Sequence, residues 1–488
     1  MTDNPLHHHL HLLLADGRTG EPCLSGGLDR DLSRHGPLPE MGPDPENLWS
    51  DWSDPNDLER QRWGVIAPLG PEGDELIARI QPLIDRRRAQ QGGAEVKIHR
   101  IPHSTETGAS MTLAEAARWK KTYFNRSQDL VNDLPRYQLI LGDLHQVPLS
   151  IQQVQSSDGF VGRIAFDEPE QYRAYVDKIL RWEDRPAPDT KGDAILYTVQ
   201  DRTPETSAGH ACLMAPGMTI LRRGRENQQV RATALHGMEY PSREEFWKAA
   251  ATRRPSVLFT MSHGAGMPED GWHDPAERRR EQGALCFGPA GCITGKDLVD
   301  KVIVPGGFWF MFACFGAGTP ASSAYRHWLE YLSREFPAYR SKVECVMRSL
   351  SPPGRPFIAA LPKAALASPQ GPLAFIGHVD LAWSFSFQDI DTDVPVRRPG
   401  RFMKVIQSML DGARVGAGFF TLGRSLGEVE TELVALYDEE MAENASYKQL
   451  ARRGHLWMLH QDLAGYVLLG DPAVQLPLTR PTAQPGRA

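Results

Sequence analysis

With 488 residues, 41% hydrophobic and 24% charged, the chain has the length and composition for two or three globular domains, each burying its own core. A net charge of −7 argues against nucleic acid as the main partner, and no apolar run is long enough to span a bilayer, so neither nucleic acid nor membrane is expected as a partner. Six cysteines without framework spacing, and a start lacking the basic and apolar regions of a secretory signal, predict a reduced, cytoplasmic protein.

Residues 1–60, rich in Gly, Pro, Asp and Ser with little periodicity, read as an irregular arm or pro-segment, with His7, His8, His9 and His11 in a tag-like, disordered start. From Arg62 the pattern changes. WGVIAP reads as a strand, Glu72 to Arg88 as a helix interrupted at Pro82, VKIHRI as a strand, Thr112 to Phe124 as a helix and YQLILGD as a buried strand. After VGRIAF, the residues Tyr172, Val176 and Ile179 mark one face of a further helix. Strands alternating with helices predict a parallel α/β unit over 61–186.

The stretch RPAPDTKG is a linker by composition, placed at 187–192, and a second unit follows over 193–480 with a tail at 481–488. Its predicted strands are Ala194 to Val199, Thr219 to Arg222, Val257 to Met261, Phe308 to Ala313, Pro356 to Leu361 and Leu373 to Val379. RFMKVIQSMLDGA and EVETELVALYDEEMAENA are periodic helices. Basic clusters at Arg86 to Arg88, Arg222 to Arg225 and Arg278 to Arg280 read as solvated faces.

Two stretches of the second unit carry chemistry. SVLFTMSHGAG, 256–266, is a buried strand whose end presents His263 on a glycine-loosened turn. FMFACFGAGTP, 310–320, is a second such strand ending at Cys314, with Thr319 and Pro320 placed to open a helix whose N-terminus would favour a thiolate. As parallel neighbours these strands would bring a base and a thiol to one sheet edge, where α/β proteins bind ligands.

A strand-His-Gly followed by a strand-Ala-Cys-x-Gly, in this order and at this spacing, resembles the clan of cysteine peptidases that holds caspases, legumains, separases and gingipains. The resemblance implies a caspase-hemoglobinase-like parallel sheet flanked by helices, as two α/β subdomains in tandem, the first degenerate and the second catalytic. It implies His263 as general acid/base and Cys314 as nucleophile, with the backbone N–H groups of Gly264 and Cys314 as the oxyanion site. It covers about 60–478: Gly142, Asp143, Gly162 and Arg163 fall at signature positions of the gingipain first subdomain, and AGYVLLGDPAVQLPL resembles the usual ending. The implied substrates are proteins or peptides, and the chemistry requires no cofactor or metal.

A carboxylate at a pocket floor would select Arg or Lys before the scissile bond, and Asp201 and Asp380 are the candidates for substrate binding. Phe312 departs from the family, standing where caspases carry Gln and metacaspases Asp. The segment AGMPEDGWHDPAERRREQGALCFGPAGC lies between the dyad strands; Arg278, Arg279 and Arg280 within it are candidates for activation cleavage, by an activating protease or under a regulatory partner. A zinc site of His263, His273, Cys286 and Cys292 does not match familiar ligand spacings. GRSLG matches the serine-hydrolase nucleophile elbow, with Asp438 and His460 following, but Ser425 and Glu428 read better as a capping box. The alternative of another class is a catalytically silent caspase-like binding or scaffold protein.

Overall fold

Apolar runs that can be buried on both faces become the inner strands of one large sheet. In this computed structural model, which describes residues 9–35, 54–102, 111–126, 134–186, 191–350, 355–389, 395–442 and 447–479, that sheet has ten strands. They are β1 (Trp63–Pro68), β2 (Lys97–Ile101), β3 (Tyr137–Leu141), β4 (Phe160–Ile164), β5 (Gly192–Val199), β6 (Ala232–Tyr240), β7 (Ser256–Met261), β8 (Phe308–Phe312), β9 (Ala374–His378) and β10 (Tyr466–Gly470). Their order is β2-β1-β3-β4-β10-β9-β8-β7-β5-β6, parallel throughout except between β9 and β10. The chain is thus an α/β protein with a mainly parallel sheet flanked by helices. The two units that the sequence separates share this one sheet, and their strands run in opposite senses.

The C-terminal strand is the joint. β10 pairs with β4 through Leu469↔Arg163 and with β9 from Ala374↔Gly470 to His378↔Tyr466. A Cβ on Gly162 would strike the Gly470 carbonyl, so only glycine lets these backbones approach. Just past β10, buried Asp471 accepts from Trp63 Nε1 at 2.9 Å and from Arg87 Nε at 2.8 Å, while Arg87 Nη2 also reaches Glu183 at 2.7 Å. Arg87, expected on a solvated face, is therefore a buried tie, since a guanidinium withdrawn from water is retained only where it is paired. Arg163 and Asp143 are joints too: Arg163 donates to Gln152 Oε1 and the Gly142 carbonyl, and Asp143 accepts from Ile358 N and Lys363 Nζ.

In the first unit the observed elements match the periodicity. Helices Pro71–Arg79 and Gln81–Gln90 break just before Pro82, Thr112 caps Leu113–Thr122 in a capping box with Glu115, and Tyr172, Val176 and Ile179 are buried on helix Pro169–Asp184. The second unit departs from expectation in four places. Thr219 to Arg222 belongs to helix Ala215–Glu226, where Met218 and Leu221 are buried at helical spacing, and the missed neighbour of β5 is edge strand β6, whose half-exposed residues carry no clear alternation. Pro356 to Leu361 shrinks to Phe357–Ile358, paired with Gly318–Thr319 and followed by helix Ala360–Ala367. That pairing takes up Thr319, so the next helix is Arg326–Glu335 and does not start at Pro320. Ser425 lies inside helix Val415–Ala442, which disposes of both the cap and the elbow; His460 sits 3.2 Å from Glu430, and the side chain of Asp438 lies outside the described residues.

The arm is more ordered than its composition suggests. His7, His8 and the tail 481–488 lie outside the described residues, but His9–Leu10 pairs with Leu28–Asp29 and His11 is buried, so these histidines are not tag-like. Leu10, Leu12, Leu13 and Leu14 are all at most 2% exposed, and each fully buried leucine contributes roughly 1.5–3 kcal/mol. Cys286 and Cys292 form a disulfide between the short strands Leu285–Cys286 and Cys292–Ile293, against the expectation of reduced thiols; one hairpin cross-link leaves no spacing framework to read. Bonded to each other, those sulfurs cannot be zinc ligands. Arg278, Arg279 and Arg280 lie on helix Pro275–Glu281, with Arg278 bonded to Gln282 and to the Ser349 carbonyl. Among the described residues no helix is long and apolar enough to cross a membrane.

Candidate active site

Three adjacent parallel strands deliver the site. β7 pairs with β8 up to Met261↔Phe312 and with β5 up to Met261↔Thr198. His263 and Cys314 each follow their last paired residue by two positions, and Asp201 leaves the end of β5 beside them. Register thus brings the two sequence motifs to one sheet edge. Gly264 packs onto the backbone of Cys314 so closely that a Cβ would overlap the Cys314 carbonyl.

The turn after Cys314 is sharp. Phe315 has φ 56°, in the left-handed region that a bulky residue avoids, and its N–H is held by the Asp380 carbonyl at 2.8 Å. Arg202, next to Asp201, has φ 65°. Such conformations persist only where the surroundings enforce them, and they cluster at functional sites.

His263 is wholly buried and is oriented from one side. Its Nε2 lies 3.1 Å from Thr203 Oγ1 and 3.6 Å from Asp201 Oδ2. Asp201 Oδ1 accepts from Thr203 Oγ1 at 2.8 Å, from Thr206 Oγ1 at 2.6 Å and from Thr203 N at 3.1 Å. Because the Thr203 hydroxyl donates to Asp201, it can only accept from the imidazole, which assigns the ring proton to Nε2. Nδ1, buried and without a hydrogen-bond partner, is left with its lone pair. Burial pulls the imidazole pKa below its ordinary value, against the upward pull of Asp201 and Glu205.

Cys314 is also wholly buried. Its Sγ accepts from Ala382 N at 3.2 Å. Burial pushes the thiol well above its ordinary pKa, with the Ala382 N–H acting the other way. The helix expected to open at Pro320 and lower that value starts only at Arg326, so its N-terminus does not stand behind the thiol.

The N–H groups of Gly264 and Cys314 converge on a single oxygen. Gly264 N donates to the Leu13 carbonyl at 2.8 Å and Cys314 N to the same oxygen at 3.2 Å. Asp201 is engaged with His263 through Thr203. Asp380 has both carboxylate oxygens on backbone N–H groups, Leu381 at 2.8 Å and Ala324 at 3.0 Å, and burial raises its pKa to about 7. Thr203, Ala382 and Leu13 are site residues that sequence reasoning missed. Thr203 was visible only as the cap of helix Pro204–Gly209, and nothing local marks the other two.

No protein-family model and no curated protein matches this sequence. Among solved structures, one titled as a protease is 13% identical with a TM-score of 0.46, covering 86% of this chain and 80% of its own. A complex of the pro- and mature domains of Porphyromonas gingivalis RgpB is 14% identical with a TM-score of 0.41, covering 85% and 79%. The Saccharomyces cerevisiae separase in its securin complex is 9% identical with a TM-score of 0.29, covering 72% of this chain and 16% of its own. These are distant likenesses of fold alone, with TM-scores all below 0.5, and they assign no activity to this chain.

Proposed function

We propose that this chain is a cysteine endopeptidase with a His263–Cys314 dyad, acting on proteins or peptides. The observation that supports it most is the pair of N–H groups, Gly264 and Cys314, aimed at one carbonyl oxygen beside a cysteine and a histidine whose free nitrogen is Nδ1. Donors fixed at the point where negative charge develops stabilise a tetrahedral intermediate more than any other single device. In this reading Cys314 gives its proton to His263 Nδ1 and Sγ attacks the carbonyl carbon. Collapse expels the amine, which takes the proton from His263, and leaves a thioester. Water, deprotonated by His263, hydrolyses the thioester and restores the thiol. Asp201 and Thr203 hold the ring and its tautomer.

Selection of Arg or Lys would require Asp201 or Asp380 to face the substrate; Asp380 has both oxygens on backbone N–H groups, whereas Asp201 has Oδ1 on Thr203 and Thr206 and its Oδ2 without a hydrogen-bond partner. Activation by cleavage at Arg278, Arg279 or Arg280 would require the short helix around them to unwind, since proteases cut extended backbone. The test is hydrolysis of fluorogenic peptides ending in Leu, Arg, Lys, Asp or Asn, with covalent labelling by a peptidyl electrophile. After limited proteolysis the protein is expected to cleave at least one and to be labelled on Cys314, with Cys314→Ala inert and Ser425→Ala unaffected. No cleavage and no labelling under any condition, including limited proteolysis, would favour the silent scaffold.

A further inference from the structure

The oxygen held by the Gly264 and Cys314 amides belongs to the protein's own arm, and the arm meets the site along its whole passage. Leu13 N donates to the Ala382 carbonyl, Ser384 N donates to the His11 carbonyl, and Leu12 bridges Trp383 in antiparallel sense. Past the carbonyl, Leu14, Ala15 and Asp16 pair in parallel with Gly264, Ala265 and Gly266. An extended peptide that adds to sheet edges on both sides of a nucleophile is how a protease receives its substrate. The Leu13–Leu14 peptide bond stands where a scissile bond would stand.

Leu13 is 2% exposed, and its backbone is hydrogen-bonded to both Ala382 and Cys314. The position that decides specificity, the side chain just before the scissile bond, is thus filled by an uncharged leucine. The arm is anchored beyond the cleft as well: Gly26 N donates to the buried carboxylate of Glu205 at 2.9 Å, and Trp328 Nε1 to the Leu32 carbonyl at 2.8 Å.

We infer that residues 11–14 are a built-in substrate mimic, which closes the site until the arm is displaced and which reports the substrate class as peptides with leucine before the scissile bond and apolar residues on either side of it. This rests on the peptidase reading for the substrate class, but the occlusion stands on geometry alone. The high thiol pKa of Cys314 accords with a resting, protonated site under the arm.

The experiment uses the full chain with iodoacetamide, reading each cysteine by mass spectrometry, and compares wild type with Leu13→Gly and Leu13→Asp. Buried Cys212 reports unfolding, and added glutathione serves as the standard, because Cys345 contacts Cys23 of the arm and would change with it. Cys314 of wild type is expected to react at least tenfold slower than glutathione, and to gain at least tenfold in the variants while Cys212 stays protected. The same variants should gain hydrolysis of acetyl-His-Leu-Leu-aminomethylcoumarin over analogues ending in Arg, Lys or Asp. Unchanged Cys314 alkylation in a folded variant overturns the occlusion. An accessible Cys314 with preference for Arg or Lys overturns the leucine assignment. An accessible Cys314 with no hydrolysis of any peptide removes the peptidase reading and the substrate class with it, while upholding the occlusion. Should both variants expose Cys212, hydrogen exchange of wild type decides: the Gly264 and Cys314 amides should exchange together with Leu13 and faster than those of β8, and exchange at the rate of β8 overturns the mimic.

Discussion

His263 owes its tautomer to a threonine that can only accept from it, so the groups behind that threonine have a kinetic test. Asp201→Asn replaces the acceptor that fixes Thr203, and kcat for the best peptide is expected to fall by about 10- to 100-fold with KM little changed, a part of the roughly 10²–10⁴-fold that acid–base catalysis supplies. Thr203→Val removes the acceptor for Nε2 and should lower kcat similarly; steady-state kinetics on both variants checks this. If instead KM rises and kcat holds, Asp201 binds substrate. His263 and Cys314 could be read from the sequence because each ends a wholly apolar run at a glycine turn. That Asp201 meets His263 through Thr203 could not, because a few loop residues with a left-handed Arg202 decide where its carboxylate points.

The joint between the halves is where strands and helices meet most tightly. Gly162→Ala would push β4 off β10, and overpacking of this kind costs about 1–3 kcal/mol, read as a lower urea midpoint. Arg87→Ala would leave Asp471 buried without its cation, a loss of roughly 3–5 kcal/mol, larger than for any exposed arginine of the neighbouring cluster. The urea midpoints of Arg87→Ala and Arg88→Ala, compared side by side, test the difference. Inner strands were legible because burial on both faces demands apolar runs. Edge strand β6 was not, and the short pair Gly318–Thr319 with Phe357–Ile358 was not, because neither has a periodicity of its own. That short pair also moved the start of the next helix, which removed the thiolate-favouring dipole expected at Cys314.

Across the whole molecule, two carboxylates set a pH dependence. Burial raises Asp380 and Asp462 from 3.8 to about 7. Their folded forms bind protons more readily than their unfolded forms, so their contribution to stability is fully present below 3.8 and is lost as pH rises towards about 7. The urea midpoint difference between about pH 5 and about pH 8 is expected to shrink in Asp380→Asn, which mimics the protonated form at every pH; an unchanged difference would assign the pH dependence to other groups. Asp462 also fixes the segment against which the arm lies, accepting from Trp383 N at 2.8 Å and Ser386 N at 2.9 Å.

By itself the sequence determined the α/β class, the inner strands, most helices of the first unit and the strand ends that carry His263 and Cys314, because each of these follows from local patterns of apolar spacing and turn chemistry. The tertiary structure alone decided that both halves share one sheet through a C-terminal strand, that Asp201 meets His263 through Thr203, that Cys286 and Cys292 are bonded, and that the Leu13 carbonyl lies on the Gly264 and Cys314 amides. Each of these depends on groups far apart in the chain finding one another, and a leucine-rich arm carries no local mark of the oxygen site its carbonyl will fill.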